Sequence, residues 1–584
     1  MSKIFEYLKP YSWMLACATA LLAAEAALAL ILPGFMADIV NDGVLPGHIH
    51  VIWRNGLIML LITFASMALA LATGFFTART ATGVANDLRE AVFNKVVGFS
   101  AAEINKFSTS SLITRTTNDI MQVQNTMMMA IRQLIYAPMI GIGGIVRATG
   151  RDASMAWIIA LATAIMIGLC AILFVVALPK FKLWQKLVDR VTLVSRENLS
   201  GLLVVRAFNT QNFEKKRFAT ANRTMAKTEL FVNQTFAFMT PIIALVMNLT
   251  TAAIVWVGAG HAAAFRLDIG DIFAFLQYGM LIIFAFLMIS VMFIMVPSAV
   301  VSAERIKEVL ETKSSIRYRK NPRRLPAGFK GEVEFRDVSF RYPDAGENDD
   351  NVLNDISFTA KPGETTAIIG ATGAGKTTLF KLMLRFFDVS GGWVYMDGVD
   401  IRDIHKEDLH DKIGYVSQKA SLFSGTIRSN LLYADKNASE ERILNAVEIS
   451  QSAAFIAGKP EGYESNVAQG GSNFSGGQRQ RLSIARALVK NAQIYLFDDS
   501  FSALDVKTDA MLRAALKKKM RRCTMIVIAQ RISSIMDADK IVVLDGGRVA
   551  GIGTHARLME SCEVYREIAA SQMSAEEAAQ GAGA

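Results

Sequence analysis

Cysteine is scarce in this chain, which has four in 584 residues: Cys17, Cys170, Cys523 and Cys562. They share no short spacing, which argues against a disulfide framework and against a zinc site. Two lie in apolar runs and two in the more polar half of the chain. We interpret all four as inert buried thiols.

A module that reads nucleic-acid bases is also missing, although the formal net charge is +10. No stretch interleaves aromatic and basic residues in the manner of such modules. The basic residues instead crowd two segments, 79–115 and 180–217, that flank long apolar runs. This bias is typical of cytoplasmic segments of membrane proteins, so we expect the lipid bilayer, and no nucleic acid, as a partner.

Apolar residues are abundant, at 52% of the chain, and the mean hydropathy is +0.31. Six segments are long enough to cross a bilayer as helices. They cover approximately residues 12–40, 52–78, 131–149, 155–178, 235–260 and 272–297. The first is too long for the core of a signal peptide and has no convincing cleavage site, so we expect it to be retained as a span.

The segments between the spans differ in length and charge. Residues 79–130 and 179–234 are long, basic and free of Pro/Gly clusters, so they are predicted to continue the helices into the cytoplasm. With six crossings, both termini are then cytoplasmic. The sequence therefore predicts a multi-pass protein of the cell inner (plasma) membrane.

The character of the chain changes after Pro297, where hydropathy falls and short apolar strands begin to alternate with helical stretches. Such alternation is typical of an α/β domain with a largely parallel sheet. We predict an α-helical six-span membrane domain fused to an α/β domain. The predicted bounds are 1–305 for the membrane domain, 306–330 for a linker, 331–572 for the α/β domain and 573–584 for a disordered tail.

The most specific motif is a Gly-rich loop of the pattern G-x-x-x-x-G-K-[ST], placed between an apolar strand and a helix. Its residues are Gly370, Ala371, Thr372, Gly373, Ala374, Gly375, Lys376, Thr377 and Thr378. The backbone N–H groups of such a loop surround phosphate oxygens, and the helix N-terminus adds a favourable dipole. Lys376 is predicted to reach the β- and γ-phosphates of ATP, and Thr377 to ligate Mg²⁺.

Two further features complete a nucleotide site. Asp498 ends the apolar strand "IYLF" and is the expected carboxylate on the metal side. A second anion-binding helix start is opened by Ser475, Gly476, Gly477 and Gln478. One nucleotide cannot use both helix starts of a single chain, but two subunits arranged head to tail could clamp one ATP between them.

These motifs resemble those of the ATP-binding cassette (ABC) transporters, whose signature is the Ser-Gly-Gly-Gln run at Ser475–Gln478. The resemblance covers nearly the whole chain and implies an exporter-type half-transporter. Its fold would be an α-helical six-span membrane domain of exporter type fused to an α/β P-loop nucleotide-binding domain over 331–572. It implies that Tyr342 stacks on adenine and that Gln418 contacts Mg²⁺ and the attacking water. It also implies that Ser502–Asp505 crosses a dimer interface, and that coupling segments lie near 108–115 and 207–214.

Two positions depart from the family pattern. Asp499 stands where the family usually has the glutamate that acts as general base, and its side chain is one methylene shorter. Gln530 stands where the family usually has a histidine that contacts the γ-phosphate, and glutamine carries no positive charge. The residues needed for binding are intact, so we expect a site that binds ATP and hydrolyses it poorly. Gln469 is a further departure, in a segment that senses the partner.

An intact signature beside weak catalytic residues resembles the degenerate-site subunit of a heterodimeric bacterial multidrug exporter. The implied partner is a second half-transporter with a consensus catalytic site, and the implied substrate is a hydrophobic small molecule such as a drug or a lipid. A homodimeric exporter with slow ATPase activity and an ATP-gated regulatory membrane protein remain alternatives. An importer is disfavoured, because nothing resembles a dock for a binding protein.

Charged residues within the predicted spans leave other questions open. Glu25 lies midway along the first span, either as a cavity group that attracts cationic drugs or as a hydrogen-bonded packing residue. Arg147 and Arg151 lie toward the outer end of the third span, where snorkelling to the interface is the ordinary explanation. A last span rich in Met and Phe is compatible with an adaptable substrate surface or with lipid-facing packing.

Overall fold

The structure, a computed structural model, describes residues 2–319, 321–326, 328–346, 350–519 and 522–581. The chain divides into two compact units. The first comprises residues 1–97 and 110–312, and the second comprises residues 98–109 and 313–584. The last helix of the first unit ends at Glu311, a few residues beyond the predicted domain limit at 305.

The first unit is helical and is dominated by six long helices. Short helices lie at the N-terminus and between the long ones, and π-helical turns cover Ile39–Val44 and Arg115–Asp119. In chain order the helices up to residue 311 are α1 Ser2–Glu6, α2 Ser12–Asp38, α3 Ile49–Val97, α4 Ala101–Phe107, α5 Thr109–Thr114, α6 Ile120–Arg151, α7 Ala156–Ser200, α8 Leu202–Ala207, α9 Gln211–Ala263 and α10 Ile269–Glu311. Of these, α4 belongs to the second unit.

Each predicted span falls on one of the six long helices, α2, α3, α6, α7, α9 and α10. Among the described residues, five helices are long and apolar enough to cross a membrane, and Ala156–Leu169 of α7 is a shorter apolar stretch. The predicted cytoplasmic extensions are helical as well. Helix α3 has 49 residues, which at about 1.5 Å per residue is far longer than the roughly 30 Å of a bilayer core.

Arg151 joins the ends of three helices in the first unit. Its guanidinium donates hydrogen bonds to the Asp38 carboxylate on α2 and to the Asp271 carboxylate on α10, each at 3.1 Å. A third bond reaches the Gly34 carbonyl at 3.3 Å. Snorkelling of Arg151 to the interface stays a prediction, and the structure adds that two carboxylates of the protein pair with its charge.

Glu25 also has a partner within the first unit. It is 7% exposed, and its Oε1 lies 3.5 Å from Nη2 of Arg132 on α6. The Arg132 side chain is the accessible member of the pair, at 55% exposure against 9% for Glu25. The observed pairing with Arg132 favours the interpretation of Glu25 as a packing residue. Attraction of a cationic drug to Glu25 would require Arg132 to move away.

The second unit contains two main sheets. Its strands are β1 Val333–Phe340, β2 Leu353–Ala360, β3 Thr365–Gly370, β4 Gly391–Met396, β5 Val399–Asp400, β6 Ile413–Val416, β7 Gly425–Thr426, β8 Asn466–Val467, β9 Ile494–Asp498, β10 Thr524–Ile528, β11 Lys540–Asp545 and β12 Arg548–Gly553. The larger sheet has the order β12-β11-β3-β10-β9-β6, and the smaller has the order β2-β1-β4-β5. Neighbouring strands of the larger sheet are parallel except at β12, as the sequence predicts.

Helices separate the strands of the second unit along the chain. They are α11 Lys376–Met383, α12 Lys406–Asp411, α13 Ile427–Leu431, α14 Glu440–Ile449, α15 Ala453–Ala457, α16 Gly476–Val489, α17 Val506–Lys519, α18 His555–Ser561 and α19 Glu563–Gly581. Of these, α13, α14 and α15 form a hydrophobic core with α16. The α/β prediction for this part of the chain is confirmed. Helix α19 continues through most of the segment predicted to be disordered, and residues 582–584 lie outside the described residues.

The short helix α4 packs within the second unit. A capping box starts it, in which Ser100 accepts from the backbone and Glu103 accepts from the Ser100 N–H. Glu103 also accepts a hydrogen bond from the backbone of Ser315 at 2.9 Å. The predicted coupling segment 108–115 begins directly after α4, and the segment 207–214 covers the break between α8 and α9.

Three cysteines are described, and all three are free thiols. Cys562 is buried, as expected. Cys17 and Cys523 are only half-buried, which corrects the expectation that all are fully enclosed. The side chain of Cys170 lies outside the described residues.

The Arg151 cluster leads to a stability prediction. Arg151→Gln leaves Asp38 and Asp271 without their shared cation, so the apparent unfolding temperature in lipid nanodiscs should fall. Each kcal/mol lost corresponds to roughly 2–4 °C for domains of about 150–250 residues. Arg147 is exposed and lies one turn away on α6, so Arg147→Gln is the matched control. This substitution should change the apparent unfolding temperature little. Equal unfolding temperatures for the two variants would contradict the cluster.

Candidate nucleotide-binding site

The Gly-rich loop lies between the end of β3 and the start of α11. Gly373 and Gly375 have φ angles of 87° and 89°, in the left-handed region that glycine occupies at little cost. The Lys376 ammonium donates to the carbonyls of Gly370 and Ala371, at 2.7 and 2.8 Å. The loop is thus wrapped around the lysine that is predicted to meet phosphate.

Close packing also requires glycine at both ends of this loop. A Cβ on Gly370 would lie 2.2 Å from the Leu544 carbonyl oxygen of β11. A Cβ on Gly375 would lie 2.5 Å from Cδ2 of Leu353. The loop conformation therefore depends on the adjacent strands as well as on its own dihedral angles.

The two predicted metal ligands meet although they are far apart in sequence. The Thr377 hydroxyl donates to Oδ1 of Asp498 at 3.0 Å. Asp498 is buried at the end of β9, and this burial raises the pKa of its carboxyl above the ordinary aspartate value. A hydroxyl and a carboxylate are hard oxygen donors that suit Mg²⁺, so the residues present fit that ion.

Tyr342 packs against the same phosphate-loop helix. Its hydroxyl lies 3.0 Å from the Thr378 hydroxyl and accepts from Lys381 at 3.3 Å. Phe340 and Phe387 meet its ring edge to face, with centroids 4.9 and 5.3 Å away. The ring is only partly buried. It is therefore a supported aromatic beside the loop, which is compatible with the predicted stacking on adenine.

The three positions predicted to govern hydrolysis converge on one carboxylate oxygen. The Gln530 amide donates to Oδ2 of Asp499 at 2.7 Å, and the Gln418 amide donates to the same oxygen at 3.3 Å. Burial raises the pKa of Asp499, while the bond from Gln418 acts in the opposite direction. The structure brings these residues together without another subunit.

The backbone of Asp499 is unusual. Its φ angle is 47°, in the left-handed region that aspartate enters more readily than most non-glycine residues, and its surroundings support this conformation. That support comes from its N–H, which donates to the Ile528 carbonyl at 2.9 Å, and from the Ser502 hydroxyl, which donates to its carbonyl at 2.9 Å. The sequence carried no signal for this conformation.

The Ser-Gly-Gly-Gln run starts helix α16 with a complete capping box. The Ser475 hydroxyl accepts from the Gln478 backbone at 3.2 Å, and the Gln478 side chain accepts from the Ser475 N–H at 3.1 Å. The loop Ser502–Asp505 passes close by, since a Cβ on Gly477 would lie 3.3 Å from the Ala503 carbonyl oxygen. The predicted helix start is observed. Gln469 lies in a short turn before it, Gln469–Gly471.

One residue at this site was missed in the sequence. The Gln572 amide on α19 donates to the Gln530 carbonyl at 2.7 Å and accepts from the Ile532 N–H at 2.8 Å. It is 42 residues downstream of Gln530 and adjoins the segment predicted to be disordered. No motif marks such a contact, which only the packing of α19 creates.

Comparison with known proteins assigns both units to families. The ABC transporter family matches residues 353–502, and the ABC transporter transmembrane region matches residues 15–286. An uncharacterized ABC transporter ATP-binding protein of Mycobacterium tuberculosis is 39% identical over 570 residues, which is 97% of each chain. Another from Bacillus subtilis is 36% identical over 99% of each chain. This chain therefore belongs to the ABC transporter family.

Two further similarities bear on the subtype. The ATP-dependent lipid A-core flippase of Pseudomonas aeruginosa is 32% identical over 88% of this chain and 84% of its own length. The structure of a bacterial Atm1-family ABC exporter with ATP bound superposes with a TM-score of 0.80, covering 96% of this chain and 98% of that one at 24% identity. The chain thus has the exporter fold, with a helical transmembrane domain fused to a domain that binds ATP. It is a multi-pass membrane protein, and its family couples ATP hydrolysis to transport across the bilayer.

The phosphate loop supplies one prediction. Gly370→Ala forces a shift of either the loop or the Leu544 backbone, and such overpacking commonly costs about 1–3 kcal/mol. ATP binding, measured with a fluorescent analogue, should therefore weaken. Gly391→Ala is the matched control, because its Cβ would meet only the Ser339 Cβ at an ordinary 3.7 Å. Unchanged ATP binding by the Gly370→Ala variant would contradict the close approach of Gly370 to the Leu544 backbone.

The buried carboxylate of Asp498 leads to a prediction about pH. Because burial raises the pKa of Asp498, its carboxylate is protonated at a higher pH than an exposed aspartate. A protonated carboxyl binds metal poorly, so Mg²⁺-dependent ATP binding should weaken as the pH falls through that raised pKa. Binding measured in a metal chelator should change less. In the Asp498→Asn variant, the component of ATP binding that depends on Mg²⁺ should be weak at every pH. Retention of the wild-type pH profile would contradict the role of Asp498 as a metal ligand.

Proposed function

We propose that this chain is one half of a heterodimeric ABC exporter, in which it binds ATP at a degenerate site that hydrolyses slowly. The observation that carries the proposal is the capture of Asp499 Oδ2 by the amides of Gln530 and Gln418. A partner half-transporter supplies the consensus glutamate and histidine. The signature residues Ser475–Gln478 of this chain complete the ATP site of that partner.

The hydrogen bonds to Asp499 argue against its acting as an effective general base. A general base must approach the proton that it removes within about 2.6–3.2 Å, directly or through one water. The aspartate side chain is shorter than the family's glutamate, and two amide donors already occupy one of its oxygens. Burial raises the pKa of Asp499 and the hydrogen bond from Gln418 opposes that rise, so short reach and the occupied Oδ2, not low basicity, limit it as a base.

The backbone restricts any compensating movement. A shift of Asp499 toward the nucleotide would disturb the bond from its N–H to Ile528 and the bond from Ser502 to its carbonyl. Left-handed backbone in a non-glycine residue persists only where the surroundings hold it. Displacements of about 1 Å can reduce catalysis about 10²-fold. Slow hydrolysis at this site is the expected consequence.

The ATP-binding residues have clear tasks in this proposal. Lys376 exchanges its bonds to the Gly370 and Ala371 carbonyls for bonds to the β- and γ-phosphates. Tyr342 stacks on adenine. Thr377 and Asp498, with Gln418, hold Mg²⁺, which when bound neutralises charge on the phosphates. The buried position of Asp498 and the support of the Tyr342 ring favour a preformed nucleotide site.

The signature helix serves the partner. The capping box at Ser475 and Gln478 holds the start of α16 ready to accept the terminal phosphate of an ATP bound to the other subunit. Its side-chain bonds are complete within this chain. This contrast between an intact signature and altered catalytic positions is what favours a heterodimer over a homodimer with slow ATPase activity.

The transported compounds in this proposal are hydrophobic or amphipathic, either drugs or lipids. The membrane domain resides in the inner (plasma) membrane, with the nucleotide-binding domain and both termini in the cytoplasm. The similarity to a protein named as a lipid A-core flippase supports an amphipathic substrate. Because Glu25 already pairs with Arg132, its charge gives little support to a preference for cationic drugs.

The combined change Asp499→Glu and Gln530→His tests the degenerate site. It restores the family's base and switch residues, so hydrolysis at this site, and with it the total ATPase activity of the assembled transporter, should rise. Phosphate release at saturating ATP is the measurement. Adding Lys376→Ala to the double variant should abolish the gain, because ATP then no longer binds at this site.

Purification of the chain alone separates the competing assemblies. A mass of one subunit and negligible turnover support the heterodimer, whereas a dimer with measurable turnover supports the homodimeric alternative. Failure of the double variant to raise activity would count heavily against a degenerate site. ATP-dependent dye movement across vesicles distinguishes either exporter from an ATP-gated regulatory protein.

A further inference from the structure

The final helix of the chain reaches the loop that carries Gln530. Gln572 on α19 uses both ends of one amide: Nε2 donates to the Gln530 carbonyl at 2.7 Å, and Oε1 accepts from the Ile532 N–H at 2.8 Å. The glutamine carboxamide carries its donor and its acceptor on two adjacent atoms. A single side chain therefore bridges the two peptide groups that flank Arg531.

The bridged loop leads directly to the catalytic positions. The side chain of Gln530 donates to Asp499 Oδ2 at 2.7 Å, while its carbonyl accepts from Gln572. On the opposite side, the Ala529 N–H donates to the Ile368 carbonyl of β3 at 3.2 Å. The loop is thus held from β3 on one side and from α19 on the other.

Helix α19 is a firm support up to this point. Tyr565 is fully buried, and its hydroxyl lies 2.7 Å from Nδ1 of His555. Ala569 is buried one turn further along, in the same hydrophobic core as Val527 and Ala529. Because packing already fixes the backbone of this helix, only the side-chain rotamers of Gln572 are restricted when it forms the two hydrogen bonds, and the bridge can define the loop position.

We propose that Gln572 is a positioning residue for the nucleotide site. It holds the 530–532 loop so that the Gln530 amide stays beside Asp499 and meets the terminal phosphate when ATP is bound. ADP lacks that phosphate and does not use the contact. Gln572 therefore contributes to the preference for ATP over ADP. This inference requires only that the domain binds ATP, and it is independent of the heterodimer and of the hydrolysis rate.

The test compares ATP and ADP binding to the full-length chain in lipid nanodiscs. Gln572→Met keeps the length and packing of the side chain and removes both hydrogen bonds. Since loss of a hydrogen bond commonly weakens an interaction several-fold, the Kd for ATP should rise about three- to tenfold, while the Kd for ADP stays within about twofold. Gln572→Glu keeps the acceptor and loses the donor, so it should also weaken ATP binding.

A double-mutant cycle with Gln530→Ala identifies the route of the effect. If Gln572 acts through Gln530, Gln572→Met should cause no further loss of ATP affinity in the Gln530→Ala background. Losses that add in the double variant would overturn the proposal. Equal weakening of ATP and ADP would also overturn it, since a purely structural role would affect both nucleotides.

A matched substitution completes the experiment. Gln493→Met changes a half-buried glutamine directly before β9, at the end of that strand opposite to Asp498. It should leave both affinities unchanged. Unaltered ATP affinity in Gln572→Met itself, with this control also unaltered, would exclude the positioning role.

Discussion

Parallel pairing of β3, β10 and β9 is the constraint on which the nucleotide site depends. Parallel strands present their carboxyl ends at one edge of a sheet, so the loops that follow them meet there. In this chain those loops carry Lys376, Gln530 and Asp498–Asp499. Residues more than 120 positions apart, such as Thr377 and Asp498, then come within hydrogen-bonding distance.

Burial at this edge gives each polar group a large influence on its neighbours. An unpaired buried carboxylate is costly, and the site reduces that cost by directing two glutamine amides at Asp499. The same bonds occupy Oδ2 of Asp499, an oxygen that a general base would need to keep available for water. Gln572 extends this network from the Gln530 loop to helix α19.

Charges in the membrane domain are also paired, although Oε2 of Glu25 is buried without a hydrogen-bond partner among the described residues. Arg151 is shared by two carboxylates, and Glu25 pairs with Arg132. Such pairing lowers the cost of placing charge within apolar spans. It also means that a charged residue in a span is poor evidence of a substrate site until its partners are known, which the sequence could not supply.

The sequence by itself determined the architecture and most of the nucleotide-binding residues. Hydrophobic length marked the spans, the alternation of strands and helices marked the α/β domain, and local motifs marked Lys376 and Ser475, because each of these signals lies within a short stretch of chain. The tertiary structure decided the partners of Arg151, the left-handed backbone of Asp499 and the contact of Gln572 with the Gln530 loop. Those features join residues that are distant in sequence, and such contacts exist only once strands and helices have packed.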